Sequence, residues 1–241
     1  MHRTLEEVQM NSKKIFRGNL KVYFPLFILL MVLLLNDTSV YITAFAIFSA
    51  LSVYSAGREY FRLLRVPLYF IVPSALIIAF FIPGKKVDLP LPINPSEEGL
   101  KLALEVLLRS FSAISIFFFL ILTTTITEIF SAFKKLKLPD FIVEISLLIY
   151  RNIQVLYDEL ERLERAANSR LGFNGFRNFV RTSSLLAYSL FIKSLERAEK
   201  VEMAMESRCY SGKMPTYSEK SSGFLLAFLI AATLFLIHLT G

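Results

Sequence analysis

The chain has 241 residues, of which 54% are hydrophobic and only 20% are charged, and its mean hydropathy is +0.53. This composition excludes an ordinary water-soluble domain, because the apolar residues are collected into long uncharged blocks. The net charge of +7 is typical of a membrane protein whose loops face anionic lipid, and nucleic acid is not an expected partner. A single cysteine excludes an intramolecular disulfide, and the two histidines, His2 and His238, do not indicate a metal site.

Five apolar segments are long enough, or nearly so, to cross the hydrocarbon core of a membrane, which takes about 20 helical residues. In chain order they are Leu20–Leu35, Ser39–Ala56, Leu68–Ile82, Leu100–Thr125 and Phe224–Leu239. The third is the weakest, since it is short and contains Pro73. The amphipathic stretch before it, Arg58–Arg65, is expected to lie at the membrane surface. The predicted fold class is an all-α integral membrane protein with about five transmembrane helices.

Basic residues predict the orientation of these spans, because cytoplasmic loops carry an excess of Lys and Arg. Such residues are concentrated in the N-terminal arm and in the connector after the second span, namely Arg3, Lys13, Lys14, Arg17, Lys21, Arg58, Arg62 and Arg65. The loop of residues 83–99 offsets its two lysines with acidic residues and is predicted to lie outside. The protein is therefore expected in the inner (cytoplasmic) membrane of the cell. Its N-terminus is expected on the cytoplasmic side and its C-terminus on the outer side.

Residues 126–221 are highly charged and too long for a simple connector, so they are predicted to form a cytoplasmic domain. This domain separates a membrane domain of four spans, residues 1–125, from a last transmembrane helix in residues 222–241. Its predicted elements are a short helix and two long ones: Thr127–Leu136, a helix from the N-cap Asp140 to about Ser169, and a helix from about Arg177 to Arg208.

Each long helix is predicted to carry an apolar stripe at three- and four-residue steps and a charged outer face. The first stripe is Ile145, Ile149, Ile153, Leu156, Leu160, Leu163 and Ala167, and the second is Phe191, Leu195, Ala198, Val201 and Met205. On the first helix, Asp158 with Arg162 and Glu161 with Arg165 have the favoured spacing for ion pairs.

The two long helices end in the same pattern, Ala-x-x-Ser-Arg, at residues 166–170 and 204–208. A single arginine there is an ordinary basic cap, which stabilises the negative end of a helix dipole by about 0.3–1 kcal/mol. A duplicated arginine-tipped helix instead indicates two equivalent docking elements. A partner with two-fold or pseudo-two-fold symmetry is the simplest object that offers two matching sites.

The second ending and its approach, residues 194–212, resemble the transmembrane T component of energy-coupling factor (ECF) transporters, and the helix that leads from Tyr150-Arg151-Asn152 to Arg170 is similar to the first signature of that family. The stretch is most similar to the CbiQ-type members that serve cobalt or nickel uptake. The resemblance implies a non-catalytic subunit that couples two ABC ATPases, which bind the ATP, to a separate substrate-binding membrane subunit. It assigns the coupling role to Ala167, Ser169, Arg170, Ala204, Ser207 and Arg208.

This chain departs from the family pattern after each arginine. The family signature is Ala-Arg-Gly, whereas Leu171 follows Arg170 and Cys209 follows Arg208. Glycine at that position eases a left-handed helix stop, so we expect Gly172 and Gly212 to supply the turn one to three residues later.

The fourth predicted span contains Glu105 and Arg109, four residues apart. Since an unpaired charge is costly within a bilayer, the expectation is a structural ion pair, with a contact to the substrate-binding subunit as the alternative.

Other functions remain open from the sequence. A T component of a vitamin importer, for example for biotin, is the nearest alternative to a metal importer. A membrane anchor or sensor that binds a cytoplasmic partner is another. A membrane-embedded enzyme that acts on lipid is less consistent, because it needs several ionisable groups at one membrane depth. Ser211-Gly212-Lys213 lacks the upstream glycines of a phosphate-binding loop, so no cofactor is expected on this chain.

Overall fold

The computed structural model describes residues 9, 12, 15–35, 37–82, 96–136, 138–210, 212 and 221–240. Within these residues the chain forms eight α-helices: α1 Leu20–Leu34, α2 Thr38–Ala56, α3 Arg58–Phe81, α4 Glu97–Thr123, α5 Ile126–Lys135, α6 Asp140–Ser169, α7 Phe176–Glu206 and α8 Phe224–Thr240. No strand occurs among the described residues, apart from an isolated bridge between Arg17 and Ser222. The prediction of an all-α fold is confirmed.

Three helices, α2, α3 and α4, are long and apolar enough to cross a membrane, and α1 and α8 are shorter apolar helices of 15 and 17 residues. The amphipathic stretch Arg58–Arg65 is the first part of α3, which runs unbroken through Pro67 and Pro73, and its position at the membrane surface stays a prediction. A proline removes one backbone donor, but a membrane offers the remaining backbone groups no partner except those of the helix itself. The charged loop predicted over residues 83–99 lies mostly outside the described residues.

The chain divides into two compact units, one of residues 1–132 and 217–241 and the other of residues 133–216. Four phenylalanines from the N-terminal arm, α1, α2 and α4 form the centre of the first unit. The ring of Phe24 lies 5.0 Å from Phe16 and 6.0 Å from Phe48, and the rings of Phe48 and Phe119 meet edge-on at 5.7 Å. Lipid tails are as apolar as these rings, so the hydrophobic effect does not drive the helices together within a membrane. Van der Waals contacts between closely packed side chains stabilise such a core instead.

Polar contacts show that α1 and α8 run in the same direction within the first unit. At their starts, the backbone of Arg17 bonds that of Ser222 in both directions, at 3.2 and 3.3 Å. Near their ends, His238 Nδ1 on α8 lies 3.5 Å from Asp37 Oδ2, which directly precedes α2. This parallel arrangement agrees with the predicted order of spans.

Small residues let α3 and α4 approach each other closely. Ala75 and Ala79 on α3 pack against Gly99 and Ala103 on α4, and both pairs have the four-residue spacing at which small residues lie on one helix face. Ser96 caps α4 by accepting the Gly99 N–H at 2.9 Å, and its hydroxyl donates to the carbonyl of Ile82 at 2.8 Å. The start of α4 is thereby fixed against the end of α3.

Replacing Gly99 by alanine should therefore destabilise this helix pair. An added Cβ would lie 2.8 Å from the backbone oxygen of Ala79 and 2.7 Å from Ser96 Oγ. Overpacking of this kind costs about 1–3 kcal/mol, which we expect to see as a lower thermal unfolding midpoint in detergent. Leu104→Ala, at an exposed site on α4, is the control and should change the midpoint less. An unchanged midpoint for Gly99→Ala would show that the helices can separate without cost.

In the second unit, α6 and α7 form an antiparallel hairpin. Three contacts show this, because residues later in α6 contact residues earlier in α7. Tyr210 Oη, just beyond α7, donates to Glu144 Oε2 at 3.0 Å, Lys193 Nζ contacts Glu159 Oε1, and Thr182 Oγ1 donates to the carbonyl of Gly172 at 2.6 Å. The C-terminal ends of the two helices therefore lie at opposite ends of the hairpin.

Some details of α6 differ from the predictions. Asp140 is the first helical residue instead of the N-cap, and its carboxylate pairs with Lys134 at 3.2 Å. Arg165 pairs with Glu161 as predicted, whereas Arg162 bonds Glu159 at 2.7 Å instead of Asp158. The predicted stripe is also divided. Its last four residues are half-buried, whereas Ile145, Ile149 and Ile153 are exposed.

Candidate functional site

The end of α6 is a Schellman motif, in which a residue in the left-handed conformation reverses the chain. Arg170 is the C-cap residue, and Leu171 after it has φ +55°. The N–H of Leu171 donates to the carbonyl of Asn168 at 3.0 Å, and the N–H of Gly172 donates to that of Ala167 at 2.9 Å. These bonds satisfy carbonyls that the helix end would otherwise leave unpaired.

The end of α7 repeats the left-handed residue and its two hydrogen bonds. Cys209, directly after Arg208, has φ +53°. Its N–H donates to the carbonyl of Glu206 at 2.9 Å, and the N–H of Tyr210 donates to that of Met205 at 3.0 Å. The C-cap residue of α7 is Ser207, one place earlier than in α6, but Arg208 directly precedes the left-handed residue as Arg170 does. The duplication seen in the sequence is therefore also a duplication of these backbone bonds.

The serines of the two endings also match. Ser169 Oγ donates to the carbonyl of Ala166 at 2.9 Å, and Ser207 Oγ donates to that of Ala204 at 3.1 Å. The structural equivalent of Ala204 is thus Ala166. Ala167, which the sequence analysis singled out, is instead equivalent to Met205, and its carbonyl accepts the hydrogen bonds that close the Schellman motif.

Directly after each arginine the left-handed residue is not a glycine but Leu171 or Cys209. The expectation that Gly172 adopts this conformation is wrong, whereas Gly212, three residues after Cys209, does have a positive φ of +80°. For a residue with a Cβ the left-handed conformation costs roughly 1–2 kcal/mol. Glycine at position 172 leaves room for close packing, since a Cβ there would lie 3.0 Å from the Ala167 oxygen and 3.1 Å from Thr182 Oγ1, both tight contacts.

Restoring glycine at these two positions should stabilise the helix ends. We expect Leu171→Gly and Cys209→Gly each to raise the free energy of unfolding by up to about 1 kcal/mol, because the relief of strain exceeds the added entropy of the unfolded chain. Thermal unfolding in detergent measures the change. Leu171→Ala, which keeps the Cβ and removes an exposed side chain, is the matched control and should give no gain. If Leu171→Ala raised the free energy of unfolding as much as Leu171→Gly, the gain would come from removing the exposed leucine side chain and not from relief of backbone strain.

Both arginine side chains are exposed, and neither pairs with a carboxylate in the part of the chain that the structure describes. Since Tyr210 reaches Glu144, Arg208 lies near that level of α6, and residues 144–169 extend about 37 Å at 1.5 Å per residue. The two guanidinium groups are therefore far apart at opposite ends of one hairpin, too distant to enter the same site on a partner.

Each tip is braced by the opposite helix through the residue two places after its arginine. Gly172 accepts the Thr182 hydroxyl of α7, and Tyr210 donates to the buried Glu144 of α6. Desolvation, the hydrogen bond to Glu144 and the charge of that carboxylate, in this order, raise the pKa of Tyr210 above its usual 10.0. Sequence reasoning missed Tyr210, Glu144 and Thr182, because contacts between residues so distant in the chain leave no local signal.

Residues 9–217 match the family CbiQ, described as "Cobalt transport protein". The chain belongs to the CbiQ family. An uncharacterized protein of Methanocaldococcus jannaschii is 32% identical over 99% of this chain and 92% of its own length. The energy-coupling factor transporter transmembrane protein EcfT of Exiguobacterium sibiricum is 28% identical over 92% of both chains, and the cobalt transport protein CbiQ of Rhodobacter capsulatus is 27% identical over 70% of this chain and 72% of its own. These matches confirm the resemblance to ECF transmembrane components.

In this CbiQ family member, Glu105 and Arg109 do not form the predicted ion pair. Arg109 Nη2 donates to the carbonyl of Leu33 at 3.0 Å, and Glu105 is exposed. The reason lies in α1, which has no basic residue in its own last turn. Arg109 therefore supplies a positive charge and a donor to carbonyls at the negative end of that helix. Within the described residues, no group of three or more His, Cys, Asp or Glu is placed to hold a metal ion.

Proposed function

We propose that this chain is the transmembrane coupling subunit of an ECF-type ABC importer, and that Arg170 and Arg208 dock in two ABC ATPase subunits. The observation that carries the proposal is the repetition of one cap geometry, with an exposed arginine at the same position, at the ends of α6 and α7. We refer to α6 and α7 as the coupling helices. ATP is bound and hydrolysed by the partner subunits, and this chain is non-catalytic.

The chemistry of the tips suits this role. A guanidinium presents a rigid planar fork that bonds a carboxylate or several carbonyls in a groove, whereas a lysine would offer a point charge. Because the tips lie at opposite ends of a braced hairpin, each engages a separate site, as a pair of similar ATPases provides. When the ATPases close and open, the hairpin moves with them.

Apolar residues of the coupling helices offer a contact surface through which their movement can reach the substrate-binding subunit. Ile145, Ile149 and Ile153 on α6 and Phe191 and Leu195 on α7 are exposed in the isolated chain. Large apolar side chains exposed in this number indicate an interaction surface. In the proposal they contact lipid or the substrate-binding membrane subunit, which tilts or releases its substrate when the coupling helices move.

Cobalt or nickel is the proposed substrate class, since the matching family is described as a cobalt transport protein. The rival is a vitamin such as biotin, because relatives named only as energy-coupling factor components match as well. In either case substrate recognition belongs to another subunit. The proposed location is the inner membrane with the N-terminus inside, which places the start of α1 and the coupling helices in the cytoplasm.

Purification of the tagged full-length chain from its own cells, followed by transport in proteoliposomes, tests the proposal. We expect two ABC ATPase subunits and a membrane subunit to co-purify, and the reconstituted complex to accumulate Co²⁺ or Ni²⁺ when ATP is supplied. Uptake of biotin in place of metal would select the vitamin importer. Capture of a kinase or adaptor without any ABC ATPase would instead favour the sensor and overturn the coupling role.

A further inference from the structure

Lys21, in the first turn of α1, is 1% exposed, and its ammonium group pairs with Glu128 on α5. The Nζ to Oε1 distance is 2.8 Å. The other oxygen of Glu128 accepts the backbone N–H of Thr125 at 3.0 Å, which is the glutamate half of a capping box at the start of α5. One carboxylate thus closes the N-terminus of α5 and attaches it to α1.

The helix α5 is held at both of its ends. Besides the Lys21–Glu128 pair, the hydroxyl of Tyr23 on α1 donates to the carbonyl of Ala132. In the last turn of α5, Lys134 pairs with Asp140, the first residue of α6, at 3.2 Å. The division between the two compact units falls within α5, after Ala132. The helix that begins attached to α1 therefore continues into the unit that contains the coupling helices.

We propose that the Lys21–Glu128 pair is the fixed attachment through which movement of the coupling helices acts on the first unit, so that Lys21 and Glu128 are positioning residues for transport. The inference rests on the proposed function and extends it. An ion pair whose cation is buried suits a fixed attachment: the Lys21 side chain is 2% exposed, against 25% for Glu128, so a Lys21 ammonium left without this carboxylate would be strongly disfavoured. Exposed pairs such as Arg62–Glu59 on α3 lack this property.

The ratio of Co²⁺ accumulated to ATP hydrolysed tests the inference in the reconstituted full complex. In the double variant Lys21→Met with Glu128→Gln, both charges are gone, the glutamine oxygen still accepts the Thr125 N–H, and no unpaired charge is buried. We expect the complex to assemble and to hydrolyse ATP. The ratio should fall about fivefold or more, the low end of coupling between distant sites. Because the ratio is taken per ATP hydrolysed, a lower yield of complex does not hide the effect.

Two controls separate positioning from general structure. Lys21→Arg keeps the charge and a donor, so the ratio should stay near that of the wild type. The exposed pair on α3, changed to Glu59→Gln with Arg62→Met, should leave the ratio unchanged. An unchanged ratio in the buried double variant, with the wild type transporting, would overturn this inference alone. A wild-type chain that captures no ABC ATPase would overturn the proposed function as well.

Discussion

Replacing both Arg170 and Arg208 by alanine should detach the chain from its ATPases and abolish ATP-driven uptake. A buried arginine anchor contributes about 2 kcal/mol or more to an interface, which is about a 30-fold change in dissociation constant for each tip. The tips are far apart, so the losses should be nearly additive. Each single variant also loses the avidity of a two-point attachment, although the remaining tip still binds. Co-purification and Co²⁺ uptake measure both effects.

Arg165→Ala is the matched control, because Arg165 is an exposed arginine on α6 whose contact with Glu161 is long, at 3.8 Å. It should leave ATPase binding unchanged. Arg170→Lys and Arg208→Lys keep the charge and lose the planar fork, so they should show intermediate binding if the fork matters. Retention of both ATPases and of uptake in the double alanine variant would contradict the docking role of the tips.

The sequence was sufficient for features that depend on local pattern. The five apolar blocks predicted five apolar helices, of which three are long enough to cross a membrane, and the helix α6 ends at the predicted Ser169. The duplicated Ser-Arg endings predicted two equivalent helix ends, and the structure repeats the same backbone bonds at both. These features follow from helix periodicity and from residues within one or two turns of each other.

Features that depend on tertiary contacts could not be predicted in this way. The spacing of Glu105 and Arg109 suggested an ion pair, but the end of α1 offered Arg109 an unpaired carbonyl. Leu171 and Cys209 adopt a conformation that their side chains disfavour. The Schellman bonds and the bracing of Gly172 and Tyr210 by the opposite helices outweigh that preference. Local preference correctly predicts a left-handed residue after each arginine, but tertiary contacts allow that residue to be other than glycine.

Glu128→Gln alone should be among the most destabilising single changes in the first unit. It leaves the buried Lys21 ammonium, 2% exposed, without this carboxylate, and breaking a pair so that a buried charge remains costs about 3–5 kcal/mol. Adding Lys21→Met should recover most of this loss, because the remaining groups are neutral and the capping bond to Thr125 is kept. Unfolding of the wild type, the two single variants and the double variant in detergent gives the coupling between the two positions.

The recovery distinguishes this pair from an exposed one. For Glu59 and Arg62 on α3, each single change and the double change should remain within about 0.5 kcal/mol of the wild type. If Glu128→Gln were equally mild, water would have to reach the Lys21 ammonium and replace the lost carboxylate. The attachment of α5 to α1 would then depend on the hydrogen bond from Tyr23 and on apolar packing, and a neutral pair at positions 21 and 128 would transmit movement as well as the charged one.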